Sequence, residues 1–349
     1  MKSTQIAGRD IGPDHPPYVI AEMSGNHNNS LERALEIIRS AKQAGADAIK
    51  LQTYTAETMT LDVDHPRFRV NGKNPWDGEH LFDLYAKAST PWEWHPRLFE
   101  YGREIGITVF SSPFDRTAVE LLESLGAPAY KIASFELVDL DLVRFCAATG
   151  KPLIMSTGMA SLAEIADAVE AARTAGAREI VLLKCTSAYP APPEEINLRT
   201  IPHLAEAFDV VAGLSDHTMG IGVPVAATAI GAAVIEKHFT LARADGGVDA
   251  SFSLEPSELT QLVEETRKAH AALGKVTYAQ GELESSFKRY RRSLFFVRDL
   301  PAGAIISAED IRALRPGDGL PPKFLPSVMG RGLKEAVTRG TPVSWTLLA

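Results

Sequence analysis

The run YVIAE at Tyr18–Glu22, together with seven runs like it further along the chain, decides the fold. The others are AIKLQ at Ala48–Gln52, ITVFS at Ile107–Ser111, AYKIA at Ala129–Ala133, PLIMS at Pro152–Ser156, IVLLKC at Ile180–Cys185, VVAGL at Val210–Leu214 and AVIEKH at Ala233–His238. Short apolar runs alternating with longer amphipathic stretches are the pattern of parallel strands crossed over by helices. Leu31–Ala44, Leu162–Ala175 and Ser257–Leu273 repeat their apolar residues at helical spacing. Ser161 and Ser257 are expected to cap two of these helices, and glycines in QAGAD, TAGAR and ALGKV to end them. Eight βα units in roughly 250 residues favour an α/β fold closed as a (β/α)₈ TIM barrel; an open doubly wound sheet is the alternative.

Outward from the strands, Thr53 to Pro91 is too long for an ordinary βα loop, and its aromatic residues Trp76 and Tyr85, with Trp92 and Trp94 just beyond, suggest a partly ordered lid. The polar stretch YAQGELESSFKRYRRS reads as a linker, followed by a small unit rich in Gly and Pro turns. The expected organisation is therefore a barrel domain at 1–277, a linker at 278–293 and a C-terminal domain at 294–349.

The 349 residues carry 36 Lys and Arg against 44 Asp and Glu, a net charge of −8, which disfavours duplex nucleic acid as the main partner. Cys146 and Cys185, the only cysteines, sit in apolar runs, so a reducing, cytoplasmic setting is expected rather than a disulfide framework. No apolar h-region opens the chain and no segment offers ~18 uncharged apolar residues, so neither secretion nor membrane spanning is expected.

In a barrel, side chains at the carboxyl ends of strands share one site. Those ends carry Glu22, Lys50 with Gln52, Ser111 with Ser112, Lys131 with Ser134, Ser156 with Thr157, Thr186 with Ser187, Ser215 with Asp216 and His217, and His238. Lysines in apolar strands need a counter-charge, and an anionic ligand supplies one: two ammonium groups ringed by hydroxyls form a cradle for phosphate and carboxylate. Either lysine alone could instead pair with a barrel Asp or Glu. His217 and His238 end consecutive strands and could share a divalent ion with open positions for water and substrate, or each could be a hydrogen-bonded pocket histidine. Glu22 could act as general acid or base, or as a partner of Lys50 or Lys131. His27 reads as a loop residue. Schiff-base chemistry at Lys131 is a rival. Cys185 reads as a small buried residue with no matched base in view. Neither GxGxxG nor a P-loop is present.

EMSGNHN at 22–28, KLQTY at 50–54, FSSPFD at 110–115, YKIASFE at 130–136, STGMA at 156–160, KCTSAYPAP at 184–192, GLSDHT at 213–218 and EKHF at 236–239 together resemble the sialic acid synthase family over nearly the whole chain. LPAGAIISAEDIRALRPGDGL at 300–320 is similar to that family's small antifreeze-like SAF domain. Within the family, DLYAKASTPWEWH at 83–95 and ARADGGVDASFSLEP at 242–256 look most like its pseudaminic acid synthases.

The resemblance implies condensation of phosphoenolpyruvate with 2,4-diacetamido-2,4,6-trideoxy-altrose, by C–O cleavage, to a nine-carbon 2-keto acid and phosphate. It implies that Lys50, Ser112, Lys131, Ser134, Ser156 and Ser215 hold phosphoenolpyruvate, and that His217 and His238 ligate a divalent ion, manganese first, magnesium or cobalt as alternatives. Glu22 would handle protons or stabilise developing charge. Gln52, Tyr189 and Asp249 would lie near the sugar, and Arg315 would reach a sugar from the neighbouring subunit of a domain-swapped homodimer. Ser187, where sialic acid synthases often place Asn, and GGVDA in place of a GPDH-like run turn the reading away from N-acetylmannosamine. A less polar pocket suits a deoxy sugar. The alternatives are a legionaminic or N-acetylneuraminic acid synthase, a Schiff-base aldolase, and a non-catalytic sugar-binding protein.

Overall fold

The computed structural model describes residues 3–72, 74–279 and 281–349; Lys73 of the long loop and Gln280 of the expected linker lie outside them. The chain divides into two compact units, Met1–Gly274 and Lys275–Ala349.

In the first unit, among the described residues, eight parallel strands close into a barrel. They are β1 (Tyr18–Glu22), β2 (Ala48–Thr53), β3 (Thr108–Pro113), β4 (Tyr130–Ile132), β5 (Leu153–Ser156), β6 (Ile180–Cys185), β7 (Val211–Asp216) and β8 (Val234–His238). Every expected run lies in the barrel wall, and the ends differ by one or two residues. Closure comes from β8 pairing with β1, where His238 stands opposite Glu22. The open-sheet alternative therefore falls. The strands are apolar on both faces because one packs against helices and the other fills the barrel.

Strand alternation turns that interior layer into a map of the site. Ile20, Ala48, Phe110, Ala129, Ile154, Leu183, Val211 and Val234 form the apolar layer inside the barrel. Two residues further along their strands, on the same face, come Glu22, Lys50, Ser112, Lys131, Ser156, Cys185, Gly213 and Glu236. The apolar lower layer thus gives way to a polar upper one.

An N-terminal hairpin, Thr4–Ile6 with Arg9–Ile11, escaped the sequence reading because its strands are only three residues long. Ala7 and Gly8 make its turn with positive φ, and Ile6 and Ile11 join the apolar layer at the barrel floor. Ser161 caps Leu162–Thr174 in a capping box with Glu164, as expected. Ser257 caps nothing. That helix begins at Pro256, with Glu255 and Glu258 forming the box, because proline favours the first helical position and so places the cap at Glu255, two residues before Ser257.

The long loop carries the helices Ala56–Met59 and Leu81–Ala88. In the second unit, Ser293–Phe296 pairs antiparallel with Ile311–Leu314 over a core that includes Leu294, Phe296, Val328 and Val343. The stretch expected as linker holds a short helix, Glu282–Ser286, with Gly281 at its start and Glu282 and Glu284 favourably placed in its first turn. No described helix is long and apolar enough to cross a membrane.

Gly213 shows how tightly the wall is drawn. A Cβ there would lie 2.2 Å from the Val234 carbonyl oxygen and 2.9 Å from Leu183 Cδ2. Gly213→Ala is expected to lower the unfolding free energy by about 1–3 kcal/mol, the usual cost of overpacking, as measured by urea unfolding. An unchanged midpoint and slope would contradict this packing.

Candidate active site

The polar layer at the barrel's carboxyl end is built around four buried charges. Lys50 Nζ lies 2.5 Å from Glu22 Oε2 and 3.8 Å from Glu236 Oε1, and Lys131 Nζ lies 3.7 Å from the same Glu236 oxygen. Of the two readings open for the lysines, pairing with barrel carboxylates holds for both, Lys50 with Glu22 and Glu236 and Lys131 with Glu236. Glu236 is the residue that sequence reasoning missed. It precedes His238 by two positions in β8 and so shares its face, a signal that the alternation of EKH contained.

Hydroxyls and an amide complete the cluster. Gln52 Nε2 donates to Glu22 at 2.9 Å, Lys50 Nζ to Ser112 Oγ at 3.4 Å, and Ser215 Oγ to Glu236 at 3.2 Å. Lys131 Nζ also donates to the Ile132 carbonyl at 3.3 Å. Ser134 Oγ accepts from the Gly158 amide at 3.1 Å. Ser156 Oγ and Ser187 Oγ are buried with no hydrogen-bond partner among the described residues, so donors remain to be satisfied beside the lysines. Gly158 is required where it stands, since a Cβ would fall 2.3 Å from Ser187 Oγ and 2.7 Å from Ser134 Oγ.

Burial governs the electrostatics. It pushes Glu22 up to about 7, against the attraction of Lys50. Burial disfavours the Lys50 ammonium, yet Glu22 and Glu236 outweigh it and hold the group above its ordinary value. For Lys131 burial prevails and lowers it. Burial would raise Glu236, but Lys131 and Lys50 bring it below the usual carboxylate range. Glu136, on the turn after β4, is also pushed up to about 7 by burial and leaves Oε2 unpartnered among the described residues.

His217 and His238 stand beside this cluster with ring centroids 5.3 Å apart. His217 Nδ1 lies 2.9 Å from the Thr186 carbonyl, which fixes the ring and leaves Nε2 for another partner. Burial, reinforced by the charges of His217, Lys50, Lys237 and Lys131, holds His238 far below its ordinary value, so its ring is neutral. His238 Nδ1 is buried, 3.5 Å from Asp249 Oδ2, without a hydrogen bond. An orphaned imidazole nitrogen beside a second imidazole fits a divalent ion. Among the described residues no group of three His, Cys, Asp or Glu converges, so such an ion would keep places for water and substrate oxygens.

The loops finish the mouth. Asp249 accepts a short hydrogen bond from Ser24, a residue held at φ 48°. Tyr189 lies against His217 with centroids 4.4 Å apart, and Phe252 against His238 at 5.0 Å. Trp76 arrives from the long loop, 5.4 Å from Tyr189 and 6.3 Å from Phe252, and its indole N–H donates to the Val248 carbonyl at 2.9 Å. Ser24 and Phe252 were not singled out in the sequence, and Trp76 was read there only as part of a partly ordered lid.

Other expectations fall elsewhere. His27 is a loop residue, but a fully buried one: burial lowers it to about 4, and it meets Thr90 and the edge of Trp94. Cys185 was expected to have no base nearby, yet its Sγ is 3.9 Å from His217 Nδ1 because β6 and β7 end side by side. Burial raises the thiol, and His217 more than offsets this, bringing it down to about 7. Lys237 and Asp216 form a separate buried pair at 2.5 Å. Arg315 belongs to the second unit, where it lines a hollow of about 500 Å³ with Phe287, Tyr290, Arg291 and Arg292.

Comparison with known proteins matches this arrangement to described relatives. Residues 37–278 match the NeuB family and residues 291–349 the SAF domain. The chain is 44% identical over 330 residues to the pseudaminic acid synthase of Helicobacter pylori, covering 94% of this chain and 97% of that protein. It is 36% identical to the N,N'-diacetyllegionaminic acid synthase of Legionella pneumophila, over 94% of this chain and 93% of that one. Among solved structures, the N-acetylneuraminic acid synthetase of Leptospira borgpetersenii in complex with citrate superposes with a TM-score of 0.72 at 33% identity, covering 82% of this chain and 94% of that one. The barrel, its polar mouth and these matches lead to one conclusion: the chain belongs to the NeuB family.

Proposed function

We propose that this protein is a pseudaminic acid synthase, joining phosphoenolpyruvate to 2,4-diacetamido-2,4,6-trideoxy-altrose and releasing phosphate. The observation that carries the reading is the meeting, at one barrel mouth, of two buried ammonium groups, unpaired serine hydroxyls and two imidazoles. The extended likeness to pseudaminic acid synthases supports the choice of sugar.

In this reading Lys50 and Lys131, with Ser112, Ser134, Ser156 and Ser215, take the phosphate and carboxylate of phosphoenolpyruvate. Ser156 Oγ gains the partner it lacks. Gln52, Tyr189 and Asp249 orient the sugar. A divalent ion held by His217 and His238, manganese by our reading, would polarise the aldehyde oxygen as a Lewis acid. The enol carbon then attacks the aldehyde carbon, forming the C–C bond and leaving positive charge on the carbon that bears the phosphate ester. Water adds to that carbon, and as the C–O bond to phosphate breaks to give the 2-keto acid, one proton of the water passes to the former aldehyde oxygen, now a hydroxyl, and the other leaves with the phosphate. Glu22 is suited to hold the moving proton because its group titrates near neutrality. A bound trianion beside it favours its protonated form further. The working form, on the same reading, is a cytoplasmic homodimer that offers Arg315 to the sugar of a second copy.

Phosphate release across a panel of amino sugars, with product mass recorded, tests the assignment. The 2,4-diacetamido-6-deoxy sugar should give the highest kcat/KM, and a preference for N-acetylmannosamine would overturn it. His217→Ala and His238→Ala should each lower metal-dependent kcat by at least about 10²-fold with the circular dichroism spectrum retained, whereas Lys131→Met should raise the KM for phosphoenolpyruvate most.

Stability should also carry the mark of Glu22. Its folded pKa, about 7, lies above the ordinary 4.5, so protonated Glu22 favours the fold. That contribution is fully present below about pH 4.5 and is lost as pH rises to about 7, amounting to roughly 3 kcal/mol. Glu22→Gln should flatten this part of the wild-type curve of unfolding free energy against pH. Parallel curves would show that Glu22 ionises in the folded protein as it does in water.

A further inference from the structure

Two aromatic side chains stand against the imidazoles and a third packs on both of them, and the reaction sequence above uses only one of the three, and that loosely. Tyr189 and Phe252 each contact a histidine ring, and lie 5.2 Å from each other. Trp76 closes the third side. It is held at both ends: its backbone N–H donates to Asn74 Oδ1 at 2.9 Å, and its indole N–H to Val248, the residue before Asp249. One side chain thus fastens the long loop that follows β2 to the loop that follows β8.

We propose that Trp76 is a specificity-determining residue, completing with Tyr189 and Phe252 an apolar wall that receives the methyl of the acetamido group on the sugar carbon next to the aldehyde. The inference rests on the proposed function for where the aldehyde lies. An aldehyde oxygen directed at His217 and His238 puts the substituent of the adjacent carbon among the rings that touch those histidines. The methyl at the far end of the sugar is four carbons further on. The wall offers that substituent three ring faces and edges, while the indole N–H is already engaged by Val248. An acetamido methyl gains apolar contact there, whereas a hydroxyl in its place must shed water without finding a partner. Because Trp76 comes from a different loop than Tyr189 and Phe252, the wall exists only when the long loop lies in the position described.

The test compares 2,4-diacetamido-2,4,6-trideoxy-altrose with its neutral 2-hydroxy analogue in wild type, Trp76→Ala and Trp76→Phe. Trp76→Ala should cut the kcat/KM preference for the acetamido sugar by roughly 10- to 200-fold, the span associated with a small apolar group. The loss should appear in the KM for sugar, with the KM for phosphoenolpyruvate unchanged, and Trp76→Phe should keep most of the preference. An unchanged preference in Trp76→Ala, or equal losses for both sugars, would overturn the proposal and leave Trp76 as a loop prop. Calorimetric titration with each sugar in the absence of phosphoenolpyruvate separates the two readings. Acetamido-selective binding that Trp76→Ala abolishes, in a wild type that releases no phosphate, would sink the proposed function and keep the wall. Normal phosphate release with selectivity intact in Trp76→Ala would do the reverse.

Discussion

Four charges sit inside a strand barrel, and each is tolerable only because the others are there. Moving one ion out of water costs several kcal/mol even after relaxation, so Lys50, Lys131, Glu22 and Glu236 must answer one another across distances of 2.5 to 3.8 Å. Such a cluster is a poor way to gain stability. It is a good way to keep ammonium groups dry, oriented and ready for an anion. Glu22 is the adjustable member: poised near neutrality, it can give up its charge when a ligand brings more negative charge to Lys50.

The imidazoles depend on that cluster as much as the lysines do. The neighbouring cations help keep His238 neutral with a free lone pair, while the Thr186 carbonyl turns His217 so that its second nitrogen is available. The mouth therefore sets an anion cradle beside a neutral imidazole, His238, and beside His217, where burial is outweighed by Cys185 and the Thr186 carbonyl and the group is held above its ordinary value, with β7 and β8 setting the separation. Ser24, held in the left-handed region, donates its hydroxyl to Asp249 and so fixes that carboxylate beside His238.

Much of this was legible in the sequence because the barrel strands are buried on both faces. AIKLQ and YKIAS read as strands despite their lysines, and strand-end position then gathered Glu22, Lys50, Lys131, Ser156, Ser215 and His238 correctly at one end of the fold. Glu236 was lost because in AVIEKH only His238 was weighed, although a two-residue step back from it reaches Glu236 on the same face. The aromatic wall was out of reach for a different reason. Trp76 meets Phe252 across 176 positions of chain through loops whose course no periodicity encodes. Ser257 failed as a cap because Pro256 takes the first helical position, and Glu282–Ser286, a helix of five residues with Leu283 as its single apolar one, leaves no apolar period to read.

The N-terminal hairpin changes what the barrel can do. With Ile6 and Ile11 wholly withdrawn from solvent in the floor layer, the lumen is a blind cup with a single rim. Whatever reaches the lysines has to pass the histidines and the aromatic ring of the mouth, and must return by the same route. Traffic through one doorway is shared by every guest, a constraint set by eight residues, 4–11, at the closed end of the barrel.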